Sequence, residues 1–439
     1  MRVKLIFSLL ACLILACHTA FSQPSYPSSS NTQALECAVN YIESFNKKST
    51  KQIDKFITLY YGNNNHERRL NIEQSLKKSW GKLELSRVIY DSDYEVIVLI
   101  QASKMPNSVL LFDIKIGEDT PNKIEYFART GIPMPENRTS SITDREALYF
   151  ADRSIPVADG MINQTVLDIA EAFSNHYYIP EIGDRISSQL MENLNDGKYS
   201  KLSKAGKLAD SVHADIQNIH FDSHTSVEVD RHLLSFDSLT GPSQDYGFET
   251  VEFMDGHVAY IKLNEFSPAK EAQDRAQRLF DSVLDCNSII LDLRNNVGGY
   301  PEMIQFVSGY FFSNPIKINT LYDRDGNIAD EMWTQNRLPG DRFPDSVPVV
   351  ILTSKQTASA AEGFVYFFKK TSRAIIMGEP TKGAHHPAKE VVINPLFVVS
   401  VPFMRGDEID LPEGEGIEPD VPVPSEKALE KAIEYVNNL

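Results

Sequence analysis

The sequence predicts an α/β core preceded by a three-helix unit and an N-terminal α+β domain. Three observations lead there. Residues 34–129 read as three stretches of helical spacing followed by four strand-like stretches. Residues 165–219 carry helical periodicity alone. From Val251 onward, apolar β-branched runs alternate with amphipathic stretches, the pattern of strands joined by crossover helices.

In the first block, Leu35, Val39, Ile42 and Phe45 repeat at helical spacing, so a helix is expected over 34–45, with others over 50–61 and 67–80. Strands are expected over 82–90, 94–102, 109–116 and 123–129. The block, bounded at 34–135, resembles a cystatin-like or nuclear-transport-factor-like cone. It holds no catalytic constellation and reads as a targeting or packing domain. Residues 131–156 bear prolines and charges and read as a connector. Helices follow over 165–176, 181–194 and 205–219, inside a unit placed at 160–225.

The core is placed at 245–425. Its expected elements are a strand at 256–262, a helix at 269–285 and the buried strand NSIILDL at 287–293. That strand opens into RNNVGG (294–299) and then a helix to Phe312. A strand at 347–352, a polar turn, a helix at 358–370 and a strand at 374–377 come next. A hairpin pairs 390–394 with 397–401, and a closing helix spans 425–438.

The chain has 439 residues, enough for two or three domains, and its apolar content of 42% is that of a folded soluble protein. The net charge is −17 and no basic block occurs, which argues against nucleic acid as a partner. The N-terminus reads as a targeting segment, with Arg2 and Lys4 ahead of an apolar run from Leu5 to Ala16 that is too short for a stable membrane anchor. Ala20–Phe–Ser22 fits a signal-peptidase site, giving a signal peptide at 1–22 and a polar linker at 23–33. Ile14–Leu–Ala–Cys17 resembles a bacterial lipobox, which would leave a lipid anchor at Cys17. Plain export is the favoured reading, and either places the mature chain in the periplasm or outside the cell. Cys37 and Cys286 read as buried free thiols. No metal-ligand spacing and no phosphate loop occur, so no cofactor or metal is expected.

Two places carry chemistry. Ser359 stands where the turn TSKQT (353–357) becomes a helix, so its hydroxyl meets unpaired backbone N–H groups and the positive end of the helix dipole. That setting suits a nucleophile, and the amide of Ala360 would help hold an oxyanion. Ser359–Ala–Ala–Glu362 is equally an S-x-x-E capping box, in which the serine only starts the helix. The second place is FDSHTS (221–226), where His224 has the side chain best suited to a general base near neutral pH, though a His beside a Ser is commonly a surface residue.

TASAAE (357–362) with GEPTKGA (378–384) resembles the tail-specific, C-terminal-processing serine peptidases. Their best-known branch carries a lysine base where Ala384 stands, so a Ser–Lys dyad is not implied. Residues 166–229 and GAHHP (383–387) resemble the tricorn and interphotoreceptor retinoid-binding protein branch, which lacks that lysine. The short stretch between Val229 and Val251 leaves no room for a PDZ domain. The resemblance implies a ββα-superhelix core of the crotonase and Clp type. It implies Ser359 as nucleophile, His224 as base, Ser223 orienting it, and Glu413 of EGEGIEPD (413–420) supporting the pair, with Glu415 in reserve. Gly298, Gly299 and Ala360 would supply the oxyanion hole, and Asp292 and Arg294 would be structural partners. The implied partner is a polypeptide substrate, and oligomeric state is not readable. A carrier of apolar ligands on the same fold, or an esterase or amidase, stays open as the alternative.

Overall fold

A computed structural model describes residues 32–62, 65–120, 123–134, 142–232, 245–268, 270–407, 409 and 411–439. The targeting segment, with both of its cleavage readings, lies outside the described residues. The chain divides into two compact units at Pro156 and Val157.

The first unit begins with α1 (Gln33–Asn46), α2 (Lys51–Tyr61) and α3 (His66–Trp80). Thr32 caps α1 by accepting from the Leu35 amide. An antiparallel sheet follows in the order β1 (Leu83–Asp91), β2 (Glu95–Ala102), β3 (Ser108–Ile116) and β4 (Ile124–Pro133). Val96, Val98 and Ile100 face the core built with α1, where Tyr41 packs among Phe45, Phe56 and Phe112. The alternate residues Ile97 and Leu99 are buried as well. The reason is α4 (Asp144–Ser154), which starts at a Thr143–Glu146 capping box and packs on the same sheet. Part of the expected connector is therefore a helix covering the sheet.

The second unit opens with α5 (Asp159–His176), α6 (Pro180–Asn195) and α7 (Ala205–Ile219), the expected three helices, and then β5 (Ser226–Val229). The core contributes β6 (Phe248–Met254), β7 (Val258–Leu263), α8 (Lys270–Ser282), β8 (Ser288–Asp292) and α9 (Pro301–Gly309). Then come β9 (Lys317–Tyr322), β10 (Ile328–Trp333), β11 (Val349–Thr353), α10 (Ala360–Lys370) and β12 (Ile375–Gly378). The chain closes with β13 (Ala388–Val392), β14 (Phe397–Pro402), β15 (Arg405–Gly406), β16 (Val421–Pro422) and α11 (Ser425–Val436).

The main sheet has the order β16-β12-β11-β8-β7-β6, parallel except for β6 against β7. Its central strands are apolar throughout because both faces are covered. Ile261, Ile289, Ile351 and Ile376 pack under α8, α9 and α10, while Tyr260, Ile290, Val350 and Met377 pack against α11. Two smaller antiparallel sheets, β13-β14-β5 and β10-β9-β15, complete the unit. The architecture is the expected α/β core behind a helical unit. Cys37 and Cys286 are free and buried, as expected. No helix among the described residues is long and apolar enough to cross a membrane.

Candidate active site

The site lies at the carboxyl ends of β8, β11 and β12, where side chains of a parallel sheet leave the layer and loops converge. The loops after β8 and β11 are stitched together. Thr357 Oγ1 donates to the Leu293 carbonyl at 2.8 Å, Ser354 Oγ to the Arg294 carbonyl at 2.5 Å, and the Ala358 amide to the Asn296 carbonyl at 3.0 Å. Below them, Arg294 and Asp292 pair with each other, and Tyr260 donates to Asp292.

Ser359 begins α10 with φ +56° and ψ −125°, a conformation that a side-chain-bearing residue holds only when its surroundings enforce it. The enforcing group is Glu362, which is fully buried. Its carboxylate accepts from the amides of Ser359 (3.0 Å), Gly383 (2.7 Å) and Ala384 (2.7 Å) and from Thr381 Oγ1 (2.5 Å). The Ser359 amide also reaches the Ala384 carbonyl at 3.1 Å. Glu362 thus forms its arm of the capping pair and also clamps the loop after β12 against the Ser359 turn. Sequence reasoning saw only the capping role.

Both glycines of the β8 loop have positive φ, and their positions separate them. A Cβ on Gly298 would stand 2.7 Å from Ser359 Cβ, whereas one on Gly299 would stand 2.2 Å from the Phe266 carbonyl oxygen. Gly298 donates its amide to Asn296 Oδ1 at 2.9 Å. The amides of Gly299 and Ala360 make no hydrogen bond among the described residues.

The second cluster comes from β5 and β13, which flank β14 in one sheet, with the 413–417 loop. Ser223 donates its amide (3.2 Å) and Oγ (2.5 Å) to Glu413 Oε1. The other carboxylate oxygen accepts the His385 amide at 3.0 Å. His224 Nδ1 lies 3.9 Å from Glu413 Oε1, buried and without a hydrogen-bond partner. Glu415 is exposed, and its backbone carbonyl rather than its carboxylate takes part, meeting His385 Nε2 at 2.8 Å. The Gly414 amide donates to the Gly383 carbonyl at 2.7 Å, joining this loop to the one clamped by Glu362. Ser359, Ser223, His224 and Glu413 are therefore held in one connected frame. No hydrogen bond links Ser359 to His224 among the described residues.

Burial pushes the His224 imidazole below the ordinary histidine value. Asp222 and Glu413 oppose that shift, while His386 and Lys382 add to it. Lys382 is exposed and sits two residues before Ala384, so its charge, not its position, is what it brings here. Asp222 and His386 were not singled out in sequence. Asp222 Oδ1 accepts the His224 amide at 2.9 Å, and its Oδ2 meets His386 Nδ1 at 2.9 Å. The available signal was Asp222's place in the turn that holds Ser223 and His224.

Comparisons with known proteins bear on this frame. Residues 257–423 match the family model described as peptidase family S41. Residues 145–242 match the one described as the N-terminal domain of Peptidase_S41 in eukaryotic IRBP. Together they cover more than half of the chain. The chain carries a peptidase family S41 domain preceded by that family's N-terminal domain. The chain is 29% identical over 136 residues to carboxyl-terminal-processing peptidase 2, chloroplastic, of Arabidopsis thaliana, covering 29% of this chain and 24% of that one. It is 32% identical over 128 residues to the carboxyl-terminal-processing protease of a Synechocystis strain, covering 29% and 28%. The aligned part thus spans about a quarter of these curated relatives. Among solved structures, a lipoprotein from Streptococcus agalactiae has a TM-score of 0.47 at 15% identity, covering 65% of this chain and 98% of that one. The photosystem II D1 C-terminal processing protease has 0.43 at 16%, covering 63% and 96%.

Proposed function

We propose that the chain is an exported serine endopeptidase that cleaves polypeptides through a Ser359 acyl-enzyme. The observation that carries this reading is the connected frame in which Glu362 clamps the strained Ser359 turn and Glu413, hydrogen-bonded to Ser223, stands beside His224. Export rests on the basic and apolar N-terminal segment.

In this mechanism His224 takes the Ser359 hydroxyl proton on Nε2, because Nδ1 faces Glu413. Oγ attacks the peptide carbonyl carbon, and the amides of Gly299 and Ala360 receive the developing oxyanion. Gly298 leaves room for the substrate backbone beside Ser359. The C–N bond breaks as His224 returns the proton to the leaving amine. Water, deprotonated by His224, then opens the ester and restores Ser359. Glu413 and Asp222 stabilise the charged histidine, and Ser223 fixes Glu413.

The test is labelling with a fluorophosphonate probe, comparing the mature chain with Ser359→Ala and His224→Ala. Labelling of the unmodified chain that disappears in both variants is the expected result. A folded unmodified chain that never labels would overturn the peptidase reading in favour of a carrier. Labelling that survives His224→Ala would remove His224 as the base.

A further inference from the structure

We propose that Asp222, His386 and Glu413 form a binding site for a divalent transition-metal cation of the zinc type, and that its occupation switches the Ser359 and His224 pair off. Asp222 Oδ2, His386 Nδ1 and Glu413 Oε2 all lie within 4.8 Å of one another. The ring nitrogen stands 2.9 Å from the Asp222 oxygen and 3.2 Å from the Glu413 oxygen. One ring nitrogen faces two carboxylate oxygens and cannot bond both well, whereas a cation between the three atoms meets all of them. Bonds of about 2.0–2.2 Å at tetrahedral angles need donors roughly 3.3 Å apart, so the closest pairs need only small movements.

The donor set selects the metal. One imidazole and two carboxylates suit zinc or its neighbours, while calcium and magnesium prefer oxygen alone. The Asp222 side chain has no exposure, that of Glu413 6% and that of His386 18%, so the acids are sheltered and the histidine edge leaves room for a water as fourth ligand. Tyr178 covers the His386 ring at a centroid distance of 4.4 Å and fixes its orientation.

The consequence follows from what the same acids do on their other sides. Asp222 Oδ1 holds the His224 amide, and Glu413 Oε1 holds Ser223 and stands 3.9 Å from His224 Nδ1. A cation that draws both acids together displaces the Ser223–His224 turn that they hold, and labelling of Ser359 slows. Only this consequence rests on the peptidase reading; the binding does not.

The experiment uses the mature chain freed of metal by chelation. Zinc is titrated calorimetrically into the unmodified protein, His386→Ala and His386→Gln, with magnesium and calcium as controls, and circular dichroism checks each fold. Fluorophosphonate labelling rates are read with and without zinc within each protein. One zinc per chain is expected, weakened at least about tenfold in both folded variants. Labelling of the unmodified chain should slow with zinc and recover with chelator, while the variants show no such ratio. Absence of zinc binding to the unmodified chain, or equal binding by a folded variant, would overturn the site. Binding that needs His386 in a chain that never labels would keep the site and remove the peptidase reading. Binding without slowed labelling would remove the switch.

Discussion

Ser223 donates its hydroxyl to Glu413 Oε1 at 2.5 Å across 190 positions of sequence. The bond holds the carboxylate beside His224 without using it up, since Nδ1 of the histidine stays unpartnered 3.9 Å away. Glu413→Gln keeps the shape and removes the charge. Fluorophosphonate labelling should slow on the order of 10²-fold, less than loss of the base itself, whose general-base contribution spans about 10²–10⁴-fold. Ser223→Ala should slow it less. Equal rates in all three proteins would dissociate Glu413 from the chemistry.

The pH profile should carry the signature of His224. Burial lowers its proton affinity, so the working neutral form is present above a value under the ordinary 6.5 and is lost as pH falls through it. The acid limb of the labelling rate should have its midpoint below about 6.5. Glu413 acts in the raising direction, so Glu413→Gln should move the limb to still lower pH. A shift to higher pH would contradict the charge assignment.

Ser359→Gly should abolish labelling and yet leave the fold at least as stable. A non-glycine residue at φ +56° stores about 1–3 kcal/mol of strain, while glycine adds about 0.5–1 kcal/mol of unfolded-chain entropy. Strain relief outweighs the added entropy, so denaturant unfolding should show a gain of about 1 kcal/mol.

Glu362→Gln should lower stability instead. The buried carboxylate accepts four hydrogen bonds, and an amide group would turn a donor toward amides that already donate. A loss on the order of 3 kcal/mol is expected in denaturant unfolding, with slowed labelling. An unchanged midpoint would show that the clamp is not needed for stability.

Gly298→Ala places a methyl 2.7 Å from Ser359 Cβ at a φ of +112°. Labelling should fall with little recovery at higher probe concentration, since the side chain displaces the nucleophile itself. Normal labelling would exclude this close approach from the working enzyme.

Much of the frame was legible because it is written in local pattern. The strands around Leu291 and Ile351 are continuous apolar runs, and the helix from Ala205 to Ile219 has unbroken spacing. Ser359 and His224 each gave a local signal, but only motif resemblance joined them to each other and to Glu413, since Ser359 and His224 are 135 positions apart and no local rule joins them. The helix Asp144–Ser154 was missed because prolines and charges around it read as a connector, although Ile97 and Leu99, apolar on the second face of their strand, hinted that something covers it. Asp222, His386 and the clamping role of Glu362 depend on loops converging in space, which periodicity does not encode.

The strand Ser226–Val229 joins the β13-β14 sheet by pairing with Phe397–Pro402. His224 and Ser223, the proposed base and the residue that fixes Glu413, therefore ride on a segment that is separate in sequence from Ser359 and from the amides of Gly299 and Ala360. A split version, with residues 157–232 and 245–439 made as two polypeptides, would leave the second half with a nucleophile but no base. Adding the first half back would restore reactivity by strand complementation, turning the chain into a reporter of association between any two proteins fused to the halves.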